Sequence, residues 1–557
     1  MSPSGRLDPR GPDPGGLQED ATAAARDSVR IAGWTLLSRL TGVVRVAAIG
    51  AVLGPTLLGN TFLFTNTLPN LVYYGFLAGS LFTSLLVPAL VGAMDAGDRP
   101  AAERIAGGFL GVTAVAVGVA ACAAVLAGPL LLRLGALGTQ AEAVGVAQER
   151  AGRLLLVLVI PQVLLYAVIA SSTAVMNARR RFALAAAAPA LENLGLLAVL
   201  GVTAVLFGTA GEIGAVPGWE LVLLGAGSTA AVVLHASVQW WGARRAGVAL
   251  RPRAGWRDSD VTALVRRALP ALALAAVTAL QLLTLLVLAN RVPGGVVAVQ
   301  LGLNVHYVVV ALGATPVALS LLPRLSRLDS VLRFRETLGR GLAMVVFVTV
   351  PAAVGCALLA RPLAEVVAVG RMDSAAGVQL VTTTVAALAA GMVGEGLFQV
   401  LTFASYARKD TRTPLRSMAV QAGTFFALAS SALLVGPGQV LPVLALSFAV
   451  ANLVGAWHLA VRSRRELGTL GGELAPCVRR VLAGAVLMAP PVWAVVVLLP
   501  RWVGGRPGWL IAAATAAAVG AAVFLLLQAW WRAPELAWAR SGVLRPRRTA
   551  ATVGDGP

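Results

Sequence analysis

Charge is scarce in this chain. Asp, Glu, Lys and Arg make up 13% of its 557 residues, against roughly 25% in soluble domains. Acids are the rarer sign, 25 against 45 bases. Cysteine and histidine number three each. Cys122, Cys356 and Cys477 lie far apart with no CxxC pair, so they indicate neither a disulfide framework nor a metal site and read as small apolar core residues. His235, His306 and His458 fall in separate apolar segments without an acid nearby in sequence, and read as packed or interfacial side chains. No Gly-rich phosphate loop, HExxH motif or nucleophile constellation occurs. Neither an enzyme, a metal nor a cofactor is expected. Residues 1–27 lack the apolar core of a signal peptide and mix Pro, Gly, Asp and Arg. They read as a disordered cytoplasmic tail.

Apolar residues fill the gap. They make up 58% of the chain, with a mean hydropathy of +0.81. Runs of the ~20 residues needed to cross a bilayer recur throughout, which predicts an all-α polytopic membrane protein. About 14 spans are expected, at 28–53, 57–93, 104–134, 151–177, 183–208, 218–242, 264–290, 296–322, 338–360, 376–405, 413–435, 439–461, 480–500 and 508–531. A net charge of +20 raises the question of nucleic acid, but the arginines sit in short loops between apolar runs. Alternate loops are arginine-rich, such as Arg179-Arg180-Arg181, Arg408-Lys409 and Arg462–Arg465. By the positive-inside rule these face the cytoplasm, as do both termini, since the span count is even. Arg361, Arg371, Arg501 and Arg506 are exceptions on the other side.

One stretch organises the rest. Ser38-Arg39-Leu40-Thr41-Gly42-Val43-Val44-Arg45 places two arginines in the first span, and Leu68-Pro69-Asn70 puts a proline in the second. An arginine exposed to hydrocarbon costs at least about 2.5–3.5 kcal/mol, so it must face a bundle interior or a watery cavity. Pro69 is expected to bend its helix, which is tolerated at depth only beside protein or water. Two further motifs repeat at an offset of about 230 residues: Val87-Pro88 with Leu322-Pro323, and Met176-Asn177-Ala178-Arg179 with Ser405-Tyr406-Ala407-Arg408. The echo predicts two pseudo-symmetric lobes about a central cavity.

With these residues in place, the chain resembles the MurJ/MviN lipid II flippases of the multidrug/oligosaccharidyl-lipid/polysaccharide exporter superfamily. The matching motifs are Ser38–Arg45, Leu68-Pro69-Asn70, Gly79…Val87-Pro88, Met176–Phe182 with Ala188-Pro189-Ala190-Leu191-Glu192-Asn193, Leu322–Arg327 and Tyr406–Pro414. The resemblance implies an N-lobe at 28–262, a C-lobe at 263–465, and a last helix pair at 466–532 that grooves the lipid tail. Residues 533–557 are then a cytoplasmic tail. It also implies a central cationic cavity. The chain departs from the family pattern in that cavity: Val46, Asn60, Tyr73, Ala78 and Asn304 stand where the family usually places charges.

These readings give the site. Arg39 and Arg45 are the expected contacts for a lipid diphosphate, because guanidinium binds it bidentately. Six residues apart on a helix, their side chains point roughly 120° apart. Asn60, Asn70, Tyr73, Tyr74 and Asn304 would give an uncharged lining for a saccharide. Glu192 and Glu395 are the clearest intramembrane acids, the first read as a partner for a loop arginine, the second a coupling candidate at a helix weak point between Gly394 and Gly396. Arg408, Asp410 and Arg412 hold a short turn, with a gating role open to them. The energy source is a coupling cation or the membrane potential. The expected function is flipping of a polyprenyl-diphosphate-linked saccharide, lipid II by resemblance. The alternatives are a non-transporting scaffold and a drug or organic-cation antiporter, the latter disfavoured by lost acids and retained arginines. Cell-wall synthesis proteins are expected neighbours, and nucleic acid is not.

Overall fold

The structure is a computed structural model that describes residues 33–34, 37–76, 86–136, 142–179, 181–208, 212–469 and 472–540. Nine described helices are long and apolar enough to cross a membrane, or ten if a bent pair counts as one span. The protein is an all-helical membrane protein, and the remaining spans read from the sequence are helical where described.

Helix α1 covers 37–53. It is followed by α2 (Leu57–Phe76), α3 (Val87–Asp95), α4 (Arg99–Ala136), α5 (Glu142–Val159), α6 (Gln162–Ala178), α7 (Phe182–Phe207) and α8 (Gly218–Arg245). The next are α9 (Ser259–Ala289), α10 (Gly295–Leu325), α11 (Val331–Leu358), α12 (Ala360–Val367), α13 (Ala375–Ala389), α14 (Gly391–Ala407), α15 (Arg412–Ala429) and α16 (Pro437–Leu467). The chain closes with α17 (Leu474–Val503), α18 (Gly505–Trp530) and α19 (Pro534–Arg540). Two spans read as single are interrupted. Pro161 separates α5 from α6, and a bend of 40° at Ala390 separates α13 from α14. Pro69, in contrast, does not interrupt α2, which stays helical through it. One missing N–H removes one rung from a ladder that its neighbours sustain.

Three apolar clusters show how the helices are held. The largest joins the far ends of α1 and α2 (Ile49, Leu53, Leu58, Phe62) to those of α9 and α10 (Leu286, Val297) and of α15 and α16 (Phe425, Leu441). All of these lie at the helix ends away from the arginine-rich loops. At the arginine-rich ends the core divides. One cluster packs α3, α4, α6 and the end of α8, including Leu90, Phe109 and Val175. The other packs α10, α11, α14 and α16, including Leu321, Leu342 and Leu459. The two halves share a core at one end and divide at the other, save for the start of α9, whose Leu264 packs into the first cluster.

A polar clasp closes the shared end. Asn60 is fully buried, its amide donating to the Val292 carbonyl at 2.7 Å while its oxygen accepts from the Val296 N–H at 3.0 Å. Gln148 donates to the Asn290 side chain at 3.0 Å. Gly294 makes the turn possible: it has a φ of +76°, and a Cβ there would sit 2.5 Å from Pro55 Cα. Of the four arginines that break the loop-charge rule, Arg361 pairs with Glu365 and Arg506 with Asp373 at 2.7 Å, so two are neutralised locally.

Candidate functional site

The Ser38–Arg45 motif and the Ala188–Asn193 motif meet where α1 crosses α7. Gly42 lies beside the crossing, where even a Cβ would stand at an ordinary contact distance, 3.8 Å, from Asn193 Nδ2. Asn193 donates to Thr41 Oγ1 at 2.9 Å and to the Ser38 carbonyl at 3.2 Å, bolting the two helices together. One residue earlier, Glu192 faces Arg45 with Nη1 and Oε1 3.7 Å apart. The Arg45 side chain is 21% exposed and that of Glu192 is 12% exposed. Tyr166 of α6 donates to Glu192 Oε1 at 2.9 Å, and His235 of α8 lies 2.8 Å from Oε2. Arg45 Nε is buried without a hydrogen-bond partner. The arginine is held from one side and unspent on the other.

Glu192 thus pairs with an intramembrane arginine, not with a loop arginine as its position suggested. The physical reason is depth. Glu192 lies 10 residues into α7 (192 − 182), about 15 Å at 1.5 Å per residue, beyond the reach of loop side chains. Arg39 is exposed and has no ion-pair partner among the described residues, so the two arginines occupy different environments.

The second constellation sits in the other half. His306 of α10 is fully buried, with Nε2 2.7 Å from Glu395 Oε2 and Nδ1 3.3 Å from the Leu388 carbonyl. Asn452 of α16 donates to the same carboxylate oxygen at 3.5 Å and accepts from Gln421 of α15 at 2.7 Å. Gly394 lets α14 lie against the backbone of α16, for a Cβ there would be 2.5 Å from the Leu453 nitrogen. The weak point expected at Glu395 falls just before it, at the Ala390 bend.

The other sequence-derived residues lie elsewhere. Asn60 belongs to the clasp described above; with both ends of its amide committed, it offers nothing to a saccharide in this conformation, which corrects its reading as cavity lining. Asn70 and Asn304 are partly buried on α2 and α10. Tyr73 and Tyr74 fall on the last turns of α2, and their side chains lie outside the described structure, as does Ala78. Val46 packs into the central apolar cluster, 2% exposed, where a carboxylate would be stranded. Arg408, Asp410 and Arg412 form the turn between α14 and α15. Asp410 Oδ1 accepts from the N–H groups of Arg412 and Thr413 at 2.9 and 3.1 Å, and Arg408 pairs with Glu466 at 2.8 Å. Burial pushes the Asp410 carboxyl up, but the bonds from Thr413 and Arg412, with Arg408 nearby, outweigh it and hold the group below the usual carboxylate range.

The sequence reading missed His235 and His306 as partners of the two acids. They stand 43 and 89 residues from them, so proximity in sequence carried no signal. His458 bonds to Ser417 at 2.9 Å. That pair lies 223 and 225 residues on from His235 and Glu192, close to the offset of the internal echo, in α16 and α15 against α8 and α7.

Residues 49–509 match the model of the family described as "Lipid II flippase MurJ". The chain belongs to the lipid II flippase MurJ family. A probable lipid II flippase MurJ of Haemophilus influenzae is 26% identical over 518 residues, covering 88% of this chain and 98% of that protein. The lipid II flippase MurJ of Burkholderia cenocepacia is 24% identical, covering 70% of this chain and 75% of that protein. Among solved structures, one of a lipid II flippase MurJ in an inward closed conformation is similar with a TM-score of 0.69 at 14% identity, covering 90% of this chain and 99% of that one. An inward-facing multidrug resistance MATE family transporter of the MOP superfamily is similar at 0.59 and 10% identity, covering 79% of this chain and 98% of that one. These likenesses show the fold alone, one shared by a MurJ flippase and a MATE transporter. Between the second half and the last helix pair, α11, α12, α17 and α18 line a cleft of about 570 Å³ whose walls include Leu358, Arg361, Trp493, Val496, Arg501 and Trp509.

Proposed function

We propose that this chain flips a polyprenyl-diphosphate-linked saccharide, with lipid II as the substrate, across the bacterial cytoplasmic membrane. The observation that carries the reading is Arg45, a guanidinium held at membrane depth by Glu192 with one buried N–H unspent. A diphosphate carries more charge than one carboxylate and binds guanidinium bidentately, so it competes for Arg45 on favourable terms. Arg39, exposed nearer the arginine-rich end, meets the head group first. The prenyl tail stays in lipid, along the groove that residues 466–532 form beside the C-lobe; the cleft there supports that path.

Transport proceeds by alternating access, with an N-lobe at 28–262 rocking against a C-lobe at 263–465. The separate cores at the arginine-rich ends support a state open to the cytoplasm. The outward state then requires the shared core and the Asn60 clasp to part. Both tails, 1–27 and 533–557, lie in the cytoplasm on this reading, and the chain moves its substrate without altering it covalently. The proteins that make and consume lipid II are its working neighbours.

The test is rescue of a bacterium depleted of its own lipid II flippase, with lipid II on the outer leaflet read directly. The parent is expected to restore growth and outer-leaflet lipid II, while Arg45→Ala, inserted at equal level, does not. No rescue by a well-inserted parent excludes lipid II as substrate in that host and favours a scaffold role.

A further inference from the structure

One imidazole spans the bend in the α13–α14 pair. His306 reaches the Leu388 carbonyl at the end of α13 with Nδ1, and Glu395 on α14 with Nε2. A carbonyl oxygen only accepts, so the proton of the first contact is on Nδ1. A neutral imidazole then presents a lone pair at Nε2, and a lone pair cannot face an ionised carboxylate at 2.7 Å because both are acceptors. A proton therefore lies between Nε2 and Oε2. Imidazolium on carboxylate and neutral imidazole on carboxylic acid are two forms of this one loaded state. Loaded, the pair has no net charge; emptied, it has a charge of −1.

Among the described residues, the surroundings supply no balancing cation. From α10, Tyr307 lies within electrostatic reach of Glu395, and it too is neutral when protonated. The groups facing the pair from α16 and α15 are Asn452 and Gln421, neither titratable. On α11, Thr349 spends its hydroxyl on the Val345 carbonyl. No Arg or Lys pairs with Glu395 among the described residues. The Glu192 pair differs on both counts. There Arg45 supplies the balancing charge, and the Gln239 amide, 3.5 Å from His235 Nε2, leaves Nδ1–H to donate to Glu192. That pair needs no extra proton.

We propose that His306 and Glu395 form a proton-loading site built across the break in this span, and that its loading sets the bend. His306 is 0% exposed while the Glu395 side chain is 31% exposed, so the proton enters and leaves through the carboxylate. When the proton leaves, the 2.7 Å contact becomes repulsive, the carboxylate turns toward water, and α14 loses its link through the imidazole to α13. The proton comes from water on one side and returns to it, and no other reactant is consumed. The site deepens the proposed flippase by naming its coupling ion, and rests on that reading only for transport.

The test uses the full-length protein in lipid nanodiscs at fixed sodium, with carboxyl protonation followed by infrared difference spectroscopy as pH is stepped. A label pair on the outer end of α13 and the loop end of α14 reports the bend. The parent is expected to show a carboxyl titration that coincides with a change in label distance. Glu395→Gln abolishes both, and His306→Gln shifts the titration and uncouples it from the bend. A titration unchanged in monodisperse Glu395→Gln or His306→Gln protein overturns the proposal, as does a response to sodium at constant pH with none to protons. In vesicles, an imposed pH gradient is expected to accelerate lipid II flipping by the parent and not by Glu395→Gln. If the parent flips no lipid II, the proposed function fails, while the infrared and distance readings still decide the site.

Discussion

At the scale of single residues, membrane burial turns each polar side chain into a commitment. Asn193 makes two bonds from α7 to α1, and each is worth about 0.5–1.5 kcal/mol. Asn193→Ala is expected to lower stability by about 1–3 kcal/mol and to loosen Arg45, as measured by thermal unfolding in detergent and by reduced rescue. Asn60→Ala strands the Val296 N–H at a fully buried point, while the Val292 carbonyl keeps the Gly295 N–H at 2.8 Å. It should cost about 1–3 kcal/mol in the same unfolding assay. If Asn60 were a substrate contact instead, the variant would unfold like the parent and lose only transport.

Whole elements are governed by close approach and by caps. α14 lies on α16 because Gly394 has no side chain. Gly394→Ala must push two backbones apart, and a loss of about 1–3 kcal/mol is expected from such overpacking, with lower yield of folded protein as the first sign. The α14–α15 turn is fixed by Asp410, whose carboxylate caps the first turn of α15. Its folded pKa is depressed, so its contribution is present above the unfolded value of about 3.9 and fades as pH falls through the folded one. Asp410→Asn is therefore expected to melt below the parent at neutral pH, with the gap closing in acid. A gap that persists unchanged in acid would show that the cap does not depend on the charge.

For the molecule as a whole, the question is which end is open. With Cys122, Cys356 and Cys477 replaced, Arg39→Cys is expected to react with a membrane-impermeant thiol reagent from the cytoplasmic side, whereas Asn60→Cys is protected from both sides until substrate and driving force are supplied. Labelling of Asn60→Cys in the resting protein would mean that the shared core is already parted. The arrangement explains why so few charges suffice. Each half packs its own loop end with apolar side chains, and the polar groups are spent where the halves or broken helices must be held.

Composition and apolar runs determined the class of the protein, because a bilayer fixes the length and polarity of whatever crosses it. The order of short motifs was enough to point to the MurJ family. Sequence also picked out Arg39, Arg45, Glu192 and Glu395, since a charge inside an apolar run is conspicuous wherever it lies. What each of those charges touches was decided by tertiary structure alone. Glu192 met Arg45 and His235, and Glu395 met His306, across separations that no local pattern encodes, and Asn60 proved to be a clasp only once α9 and α10 were seen turning beside it. Apolar burial is a property of each segment and can be read along the chain, whereas a hydrogen bond between distant segments exists only after the fold has brought them together.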